Sequence, residues 1–244
     1  MRLAGATAGL PTIVLGEGGA EATLSVWSAA RAAATESGWS AARSLGLGLF
    51  GLTAQRVAVG DRAVAAIGLD ADGRVWAVTR ALGDLAWLVD PLPAWSQPAS
   101  VTAGELMGGP VALAADGEGQ FHALWSEADG RGASELRYAR FDGVRWSAPV
   151  AVLSALGGSA QEPALAIEAD QLHAVWADGV GGVLYHSSAF ARDAYAAGSW
   201  AEPAPLPVPA SAAILSMPRL VADLRGDLHV VYVAPLNEGR GVYY

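Results

Sequence analysis

The sequence predicts an all-β protein with a β-propeller fold, built from four-stranded blades that repeat about every fifty residues. Two recurring phrases carry most of this prediction. Tryptophans open the first phrase, which reads WSAA, WSQP, WSAP and WAEP at Trp39, Trp95, Trp146 and Trp200. The second phrase is an apolar run with a ring residue near its start, and it reads RVWAVT at 74–79, QFHALW at 120–125, QLHAVW at 171–176 and DLHVVY at 227–232.

A third phrase, usually led by proline, marks the first strand of each unit. Proline suits the first residue of a strand, where its missing N–H does least harm. The phrase reads PTIVL, RAVAAIGLDAD, PVALAAD, PALAIEAD and PRLVAD, and it gives blade starts near residues 11, 63, 110, 163 and 218. We therefore expect a single propeller domain over residues 1–244. Since the chain reaches Tyr244 inside the third strand of the fifth unit, we expect an incomplete piece of a five- to seven-bladed propeller.

The remaining elements of each unit follow the proline-led strand in a fixed order. An Asp- and Gly-rich turn comes next, as at 70–73 and 116–119. In the second strand Leu172, Ala174 and Trp176 share one face and His173 and Val175 share the other, so we expect burial on both sides. The third strand contains LAWLVD at 85–90, LRYARF at 136–141 or VLYHSS at 183–188, and the fourth begins at the Trp-led phrase. The Ala-rich stretch 28–35 does not fit this order, which predicts an abbreviated first blade.

Composition excludes several classes of function. The net charge is −9 without any basic run, which makes nucleic acid an unfavourable partner. The absence of cysteine excludes disulfides, zinc–thiolate sites and thiol catalysis. The longest apolar stretch, LGLGLFGL at 45–52, is too short to span a membrane, and the N-terminus does not have the pattern of a signal peptide. All 15 positively charged side chains are arginines, and alanine is abundant; both features are typical of a GC-rich bacterial genome.

The phrases PALAIEADQLHAVW, LYHSS and GSWAEP resemble the repeats of sialidase-like propellers, also called the BNR-repeat superfamily. The Asp-box of that family, S-x-D-x-G-x-T-W, is matched only in part at 88–95, 139–146 and 193–200. A sialidase of this family would carry an arginine triad, a Tyr nucleophile activated by a Glu, and an Asp acid/base. No position of the chain matches the nucleophile or the acid/base. The family's Arg-Ile-Pro signature is also absent. The resemblance implies a secreted, extracytoplasmic protein with a carbohydrate-related role.

Three hypotheses on function follow. The leading one is a non-catalytic propeller that serves as a binding or scaffolding module for a glycan or a protein. The first alternative is a sialidase-like glycoside hydrolase of which the chain is an incomplete part. The second alternative is a repeat lectin with one weak sugar site per blade. None of the three requires a cofactor, and the sequence leaves the oligomeric state open.

Three residues are the candidates for ligand binding. Arg219 occupies a first-strand slot that holds Val111 and Ala164 in sister repeats, and first strands line the central channel of a propeller, where an arginine suits an anionic ligand. An ion pair between Arg219 and a turn carboxylate is the favoured alternative. Phe190 and Tyr195 are the loop aromatics that could stack on a sugar.

Other conspicuous residues are expected to be structural. His122, His173 and His229 share a slot that Trp76 fills in the second unit, so we expect hydrogen-bonded core residues and not metal ligands. The tryptophans in repeat register are expected to pack between blades. The turn carboxylates Asp70, Asp72, Asp116, Glu118, Asp170 and Asp223 are expected to form tight turns, with calcium binding as the less favoured alternative.

Overall fold

Antiparallel β-strands joined by turns make up the protein in a computed structural model. The structure describes residues 2–4, 12–17, 23–28, 43–44, 53–60, 63–81, 96–102, 108–128, 133–154, 158–179, 182–208, 215–223, 225–236 and 239–243. Within these ranges the helical structure is one short 3₁₀ turn, Ala197–Ser199. No helix in the described part of the chain is long and apolar enough to cross a membrane.

The described strands form five sheets, in each of which the strand order follows the chain. Sheet 1 contains β1 (Arg2–Ala4), β2 (Thr12–Glu17), β3 (Thr23–Ser28) and β4 (Arg43–Ser44). Sheet 2 contains β5 (Thr53–Val59), β6 (Ala63–Leu69), β7 (Val75–Ala81) and β8 (Ala99–Ser100). Sheet 3 contains β9 (Gly108–Ala115), β10 (Phe121–Ala128), β11 (Ser134–Phe141) and β12 (Val150–Ser154). Sheet 4 contains β13 (Ala160–Glu168), β14 (Gln171–Asp178), β15 (Val183–Phe190) and β16 (Ala204–Pro205). Sheet 5 contains β17 (Ser216–Ala222), β18 (Leu228–Leu236) and β19 (Gly239–Tyr243).

The strands of sheets 3, 4 and 5 follow the repeat closely. Their first strands β9, β13 and β17 hold the proline-led phrase, and their second strands β10, β14 and β18 hold the histidine phrase. The fourth strands β12 and β16 begin a few residues after Trp146 and Trp200, whereas the sequence places their start at the tryptophan itself. The four-stranded sheets confirm the predicted all-β architecture.

Sheets 1 and 2 differ from the repeat by one strand. The proline-led phrase near residue 11 and its counterpart near 63 lie in β2 and β6, which are second strands because β1 and β5 pair with them. The alternating run 53–59 forms a hairpin with β6, and the Gly60 N–H donates to the Ala63 carbonyl at 2.9 Å. The middle of β6 is buried on both faces, as expected of a central strand. The expected third-strand phrase 85–90 and the Ala-rich residues 29–35 lie outside the described residues.

The core lies between neighbouring sheets. Leu124 and Leu136 of sheet 3 pack against Leu172 and Trp176 of sheet 4, and all four side chains are fully buried. Val175 and Leu184, on the opposite face of sheet 4, pack against Tyr232 of sheet 5. The expectation that the second strand is buried on both sides is therefore confirmed for β14. Each such side chain contributes about 1.5–3 kcal/mol through burial, so contacts between sheets hold the array together.

Candidate functional site

The Asp-rich turns form the same hydrogen-bonded structure in sheets 2, 3 and 5. One carboxylate oxygen of Asp70, Asp116 or Asp223 accepts the backbone N–H groups two and four residues further along the chain. A glycine with positive φ, Gly73, Gly119 or Gly226, completes each turn. This geometry confirms that these three aspartates form tight turns.

The second oxygen of each of these carboxylates holds the ring residue of the following strand. Trp76 Nε1 donates to Asp70 at 2.8 Å, and His122 Nε2 and His229 Nε2 lie 3.2 Å from the carboxylates of Asp116 and Asp223. The sequence therefore contains a D-x-x-G-x-x-[H/W] unit, which sequence reasoning missed although its spacing is constant. The expectation of a hydrogen-bonded core histidine is confirmed for His122, which is fully buried. His229 is hydrogen-bonded as expected, but its side chain is partly exposed and does not lie in the core.

His122 lies in the most enclosed of these networks. An ionised carboxylate can only accept hydrogen bonds, so His122 Nε2 donates to Asp116. The Tyr138 hydroxyl in turn donates to His122 Nδ1, with 2.7 Å between the oxygen and the nitrogen. Burial acts to raise the pKa of the Asp116 carboxyl, but the hydrogen bonds from His122 and the backbone outweigh it and hold the pKa below its ordinary value. Burial also raises the pKa of Tyr138, so its hydroxyl remains a donor. Every polar group of this network is thus satisfied in a structural role.

Sheet 4 departs from this arrangement because its turn has only two residues, and its aspartate, Asp170, is three and not six residues before His173. His173 instead pairs with His186 of the next strand, with Nδ1 and Nε2 3.1 Å apart and the two rings stacked at 5.3 Å between centroids. Burial lowers the pKa of both imidazoles, and the charge of His186 lowers that of His173 further. Two neutral imidazoles that share one hydrogen bond are therefore the stable state at neutral pH. The sequence signal for this pair was a histidine on the neighbouring strand, in the one histidine-bearing repeat that lacks the six-residue spacing between turn aspartate and histidine.

Two residues before prolines have strained backbone conformations. Glu162 and Met217 have φ values of 49° and 53°, in the left-handed region that costs a non-glycine residue about 1–2 kcal/mol. Each lies in a β-bulge at the start of a first strand. The Met217 N–H donates to the Glu162 carboxylate. This hydrogen bond links the first strands of sheets 4 and 5, so Glu162 connects two blades.

The three sequence-predicted ligand residues lie at two separate places on the surface. Arg219 is exposed on β17, and its Nη1 donates to the neighbouring Pro218 carbonyl at 2.7 Å. Phe190 is 46% exposed at the end of β15, and the guanidinium carbon of Arg192 lies 5.0 Å from the centroid of its ring. Tyr195 is 42% exposed in the turn that follows. Phe190 and Tyr195 thus belong to one connection, as the sequence indicates, while Arg219 lies on another sheet.

A surface pocket of about 290 Å³ lies at the connection between β11 and β12 of sheet 3. Its lining combines cationic, anionic, aromatic and hydroxyl groups, from Arg140, Asp142, Arg145, Trp146, Ser147 and Ala148. The Trp146 ring is partly buried, and it packs against Phe141 with 5.6 Å between centroids. The structure therefore gives Trp146 two roles, since it packs within the fold as predicted and also lines the pocket.

Backbone contacts fix two polar groups of the pocket, Asp142 and Ser147. Asp142 accepts the N–H groups of Val144 and Arg145, each at 2.9 Å. These bonds hold the pKa of the Asp142 carboxyl below its ordinary value, so it is ionised at neutral pH. The Ser147 hydroxyl accepts the Arg140 N–H at 3.0 Å, and the Ser147 N–H donates to the Arg140 carbonyl at 2.8 Å. The Asp142 carboxylate and the Ser147 hydroxyl are thus held in place before any ligand arrives.

The pocket coincides with the partial Asp-box match at 139–146. Residues 139–146 keep only part of the Asp-box pattern, so the sequence alone does not indicate a site in this segment. The connection that contains Phe190 and Tyr195 also follows the third strand of its sheet, so it lies at the same end of the neighbouring sheet. Among the described residues, no group of three or more His, Asp or Glu side chains could hold a metal ion.

Comparisons with known proteins identify the fold. No protein-family model matches the chain, and no curated protein matches it. An α-L-arabinofuranosidase from Lactobacillus brevis matches with a TM-score of 0.57 and 12% identity over 98% of this chain and 87% of the other. The chain has a β-propeller fold. An endo-arabinase from Bacteroides thetaiotaomicron matches this propeller with a TM-score of 0.57 and 13% identity over 96% of this chain and 88% of the other.

The propeller also resembles the Trypanosoma rangeli sialidase. That match has a TM-score of 0.55 and 12% identity, and it covers 97% of this chain and 44% of the sialidase. The resemblance to sialidase-like propellers that the repeats indicated is therefore confirmed at the level of the fold. At these identities the likeness concerns the fold alone, and the chemistry of this chain has to be argued from its own residues.

Proposed function

We propose that this propeller is a non-catalytic binding module that takes up a saccharide in the pocket of sheet 3. The observation that carries the proposal is the lining itself, in which the indole of Trp146 lies beside the charged groups of Arg145 and Asp142. Sugars present an apolar C–H face together with a ring of hydroxyl groups. A pocket that offers an aromatic surface and a few fixed polar groups is complementary to such a molecule.

Two polar groups of the lining, Asp142 and Arg145, have defined tasks in this proposal. The ionised Asp142 carboxylate accepts hydrogen bonds from sugar hydroxyls. Arg145, which is exposed, donates to ring or hydroxyl oxygens of the sugar. Because Asp142 is held by two backbone N–H groups, binding costs little ordering of this side chain.

The same lining supports binding and not glycoside hydrolysis. Hydrolysis requires a carboxylic acid that protonates the leaving oxygen and a second carboxylate as base or nucleophile. Asp142 is the carboxylate among the described lining residues, and its lowered pKa makes it a poor proton donor at neutral pH. A saccharide in this pocket would therefore be bound without being cleaved.

A glycan-array screen of the purified protein tests the proposal, with Arg145→Ala as the site variant and Arg225→Ala as the control. Both arginines are exposed and Arg225 lies in a turn of sheet 5, so neither change disturbs the core. We expect a defined set of glycans to bind the wild type and Arg225→Ala, and to bind Arg145→Ala much more weakly. An array without binders would contradict the proposal. Turnover of fluorogenic glycosides, sialosides included, would contradict the non-catalytic assignment.

A further inference from the structure

The connection between β15 and β16 of sheet 4, residues 190–203, packs against the part of sheet 3 that leads to the pocket. Its buried residues Ala191, Ala194 and Trp200 belong to one hydrophobic cluster with β11 and β12 of sheet 3, and its 3₁₀ turn contacts β12. The Trp200 ring packs with its edge toward Tyr138 of β11, with 6.3 Å between the ring centroids. The connection therefore lies on the outer part of sheet 3 as well as on its own sheet.

Tyr195 in this connection lies near the pocket of sheet 3. Arg140, which lines the pocket, is two residues after Tyr138 on β11, so the two side chains share the face that is turned to sheet 4. Trp200 packs on that same face, and its indole N–H donates to the Ala194 carbonyl at 2.9 Å. Tyr195 is the next residue. These contacts place Tyr195 on the order of 15 Å from the pocket.

The connection holds Tyr195 in a fixed and accessible position. The preceding residue, Ala194, is fully buried, while Tyr195 is 42% exposed. The Asp193 N–H donates to the Phe190 carbonyl at 2.9 Å, and the Ala196 N–H donates to the Asp193 carbonyl at 3.0 Å, so turns fix the backbone on both sides. A tyrosine on a fixed backbone offers a large aromatic contact area at a low cost in conformational entropy.

The pocket and the connection carry the same combination of groups on neighbouring sheets. Each follows the third strand of its sheet and presents an aromatic ring together with an arginine and an aspartate. In sheet 3 these are Asp142, Arg145 and Trp146, and in sheet 4 they are Arg192, Asp193 and Tyr195. Arg192 and Asp193 form an exposed ion pair at 3.3 Å. A second aromatic surface of this kind, close to a pocket that takes one sugar, is suited to another sugar of the same glycan.

We infer that Tyr195 forms a second sugar-binding position, and that the protein binds one extended oligosaccharide across sheets 3 and 4. This inference rests on the proposed function, since the pocket of sheet 3 takes the first part of the same glycan. The Tyr195 ring stacks on the apolar C–H face of a further sugar. Because the two sugars are linked, the second contact forms at a high effective concentration. The two positions make one site per chain, which binds a long glycan more tightly than its fragments.

Isothermal titration calorimetry tests the inference with the strongest glycan from the array, used whole and as its constituent disaccharides. We expect the wild type to bind the whole glycan at least about fivefold more tightly than any of the disaccharides. Tyr195→Ala should lose this gain and leave the binding of the disaccharides unchanged. Tyr195→Phe should keep the gain, because it keeps the ring. Phe190→Ala is the matched control and should bind like the wild type. Phe190 is also exposed, but alternation after the buried Ala189 turns it away from sheet 3.

Several outcomes would overturn the inference and leave the proposed function standing. These are a strongest glycan no longer than a disaccharide, disaccharides that bind as tightly as the whole glycan, and a gain that survives in Tyr195→Ala. Equal losses in Tyr195→Ala and Phe190→Ala would also overturn it, because binding would then not depend on the position of Tyr195. Weaker binding of the disaccharides by Tyr195→Ala would place the ring in the first position and not in a second one. An array without binders, or Arg145→Ala that binds every glycan like the wild type, would instead contradict the proposed function, and the inference with it.

Discussion

Replacement of Asp116 by alanine is the sharpest test of how the repeated turn stabilises the propeller. The carboxylate accepts the Glu118 and Gln120 N–H groups at 2.9 and 2.7 Å and lies 3.2 Å from His122 Nε2. Hydrogen bonds to a charged group contribute about 1.5–3 kcal/mol, and a buried donor left unpaired costs about 1–3 kcal/mol. Water can reach the exposed turn, so the backbone donors recover part of this loss. The buried Nε2 of His122 cannot reach water and would lose its partner. We therefore expect Asp116→Ala to lower the free energy of unfolding by about 3 kcal/mol.

Asp223→Ala is the matched control, because Asp223 makes the same contacts in sheet 5 at an exposed position. Its donors can turn to water, so the loss should be clearly smaller. Urea unfolding followed by circular dichroism measures both free energies. Equal losses, or a larger loss for Asp223→Ala, would refute the reasoning.

Acid should remove the advantage of the Asp116 carboxylate. Its pKa is lowered in the folded state, so its stabilisation is present above the ordinary aspartate pKa and is lost as the pH falls through the lowered folded value. The difference in stability between wild type and Asp116→Ala should therefore shrink when the urea titration is repeated in acid below the ordinary aspartate pKa. A difference that does not change with pH would show that the charge of Asp116 is not what stabilises the turn.

Two further predictions concern neighbouring features of the same sheets. Acidification from neutral pH through the ordinary histidine pKa should destabilise the protein, because the unfolded chain binds protons that the lowered pKa values of His173 and His186 exclude from the fold. His186→Gln should flatten this dependence of the urea midpoint on pH, and an unchanged slope would contradict the assignment. Gly119→Ala should cost about 1 kcal/mol in urea unfolding, because φ at this turn is +83°. Gly117→Ala is the control and should be nearly neutral, because Gly117 has the same open space around it but no positive φ. Equal costs for the two substitutions would contradict the account.

The sequence predicted the fold well where the repeat is regular. The proline-led and histidine phrases fixed the first two strands of sheets 3, 4 and 5, because alternating apolar runs bounded by Asp/Gly turns leave little freedom of register. The strand order predicted for sheets 1 and 2 was wrong, because the phrases near residues 11 and 63 form second strands and not first strands. The run at 53–59 matches none of the repeated phrases, and only its pairing with β6 shows that it is a strand. Local pattern does not reveal which of two adjacent hairpins is formed.

The site was less predictable because it depends on tertiary contacts. The spacing between Asp116 and His122 is visible in the sequence. The hydrogen bond from the Tyr138 hydroxyl to His122, however, depends on the register of β10 against β11. Trp146 was assigned to packing from its place in the repeat. Its second role arises because the turn after β11 leaves a pocket beside the ring. Arg219 drew attention as an odd residue in a first strand, and only strand pairing shows which face it occupies.

Isothermal titration calorimetry with the strongest glycan from the array tests the central claim most directly. The account predicts one site per chain, an affinity at least about tenfold lower in Arg145→Ala, which is about 1.4 kcal/mol, and an unchanged affinity in Arg225→Ala. Several equivalent sites per chain, or equal affinity in wild type and Arg145→Ala, would contradict the claim that the pocket of sheet 3 is where this propeller binds its ligand.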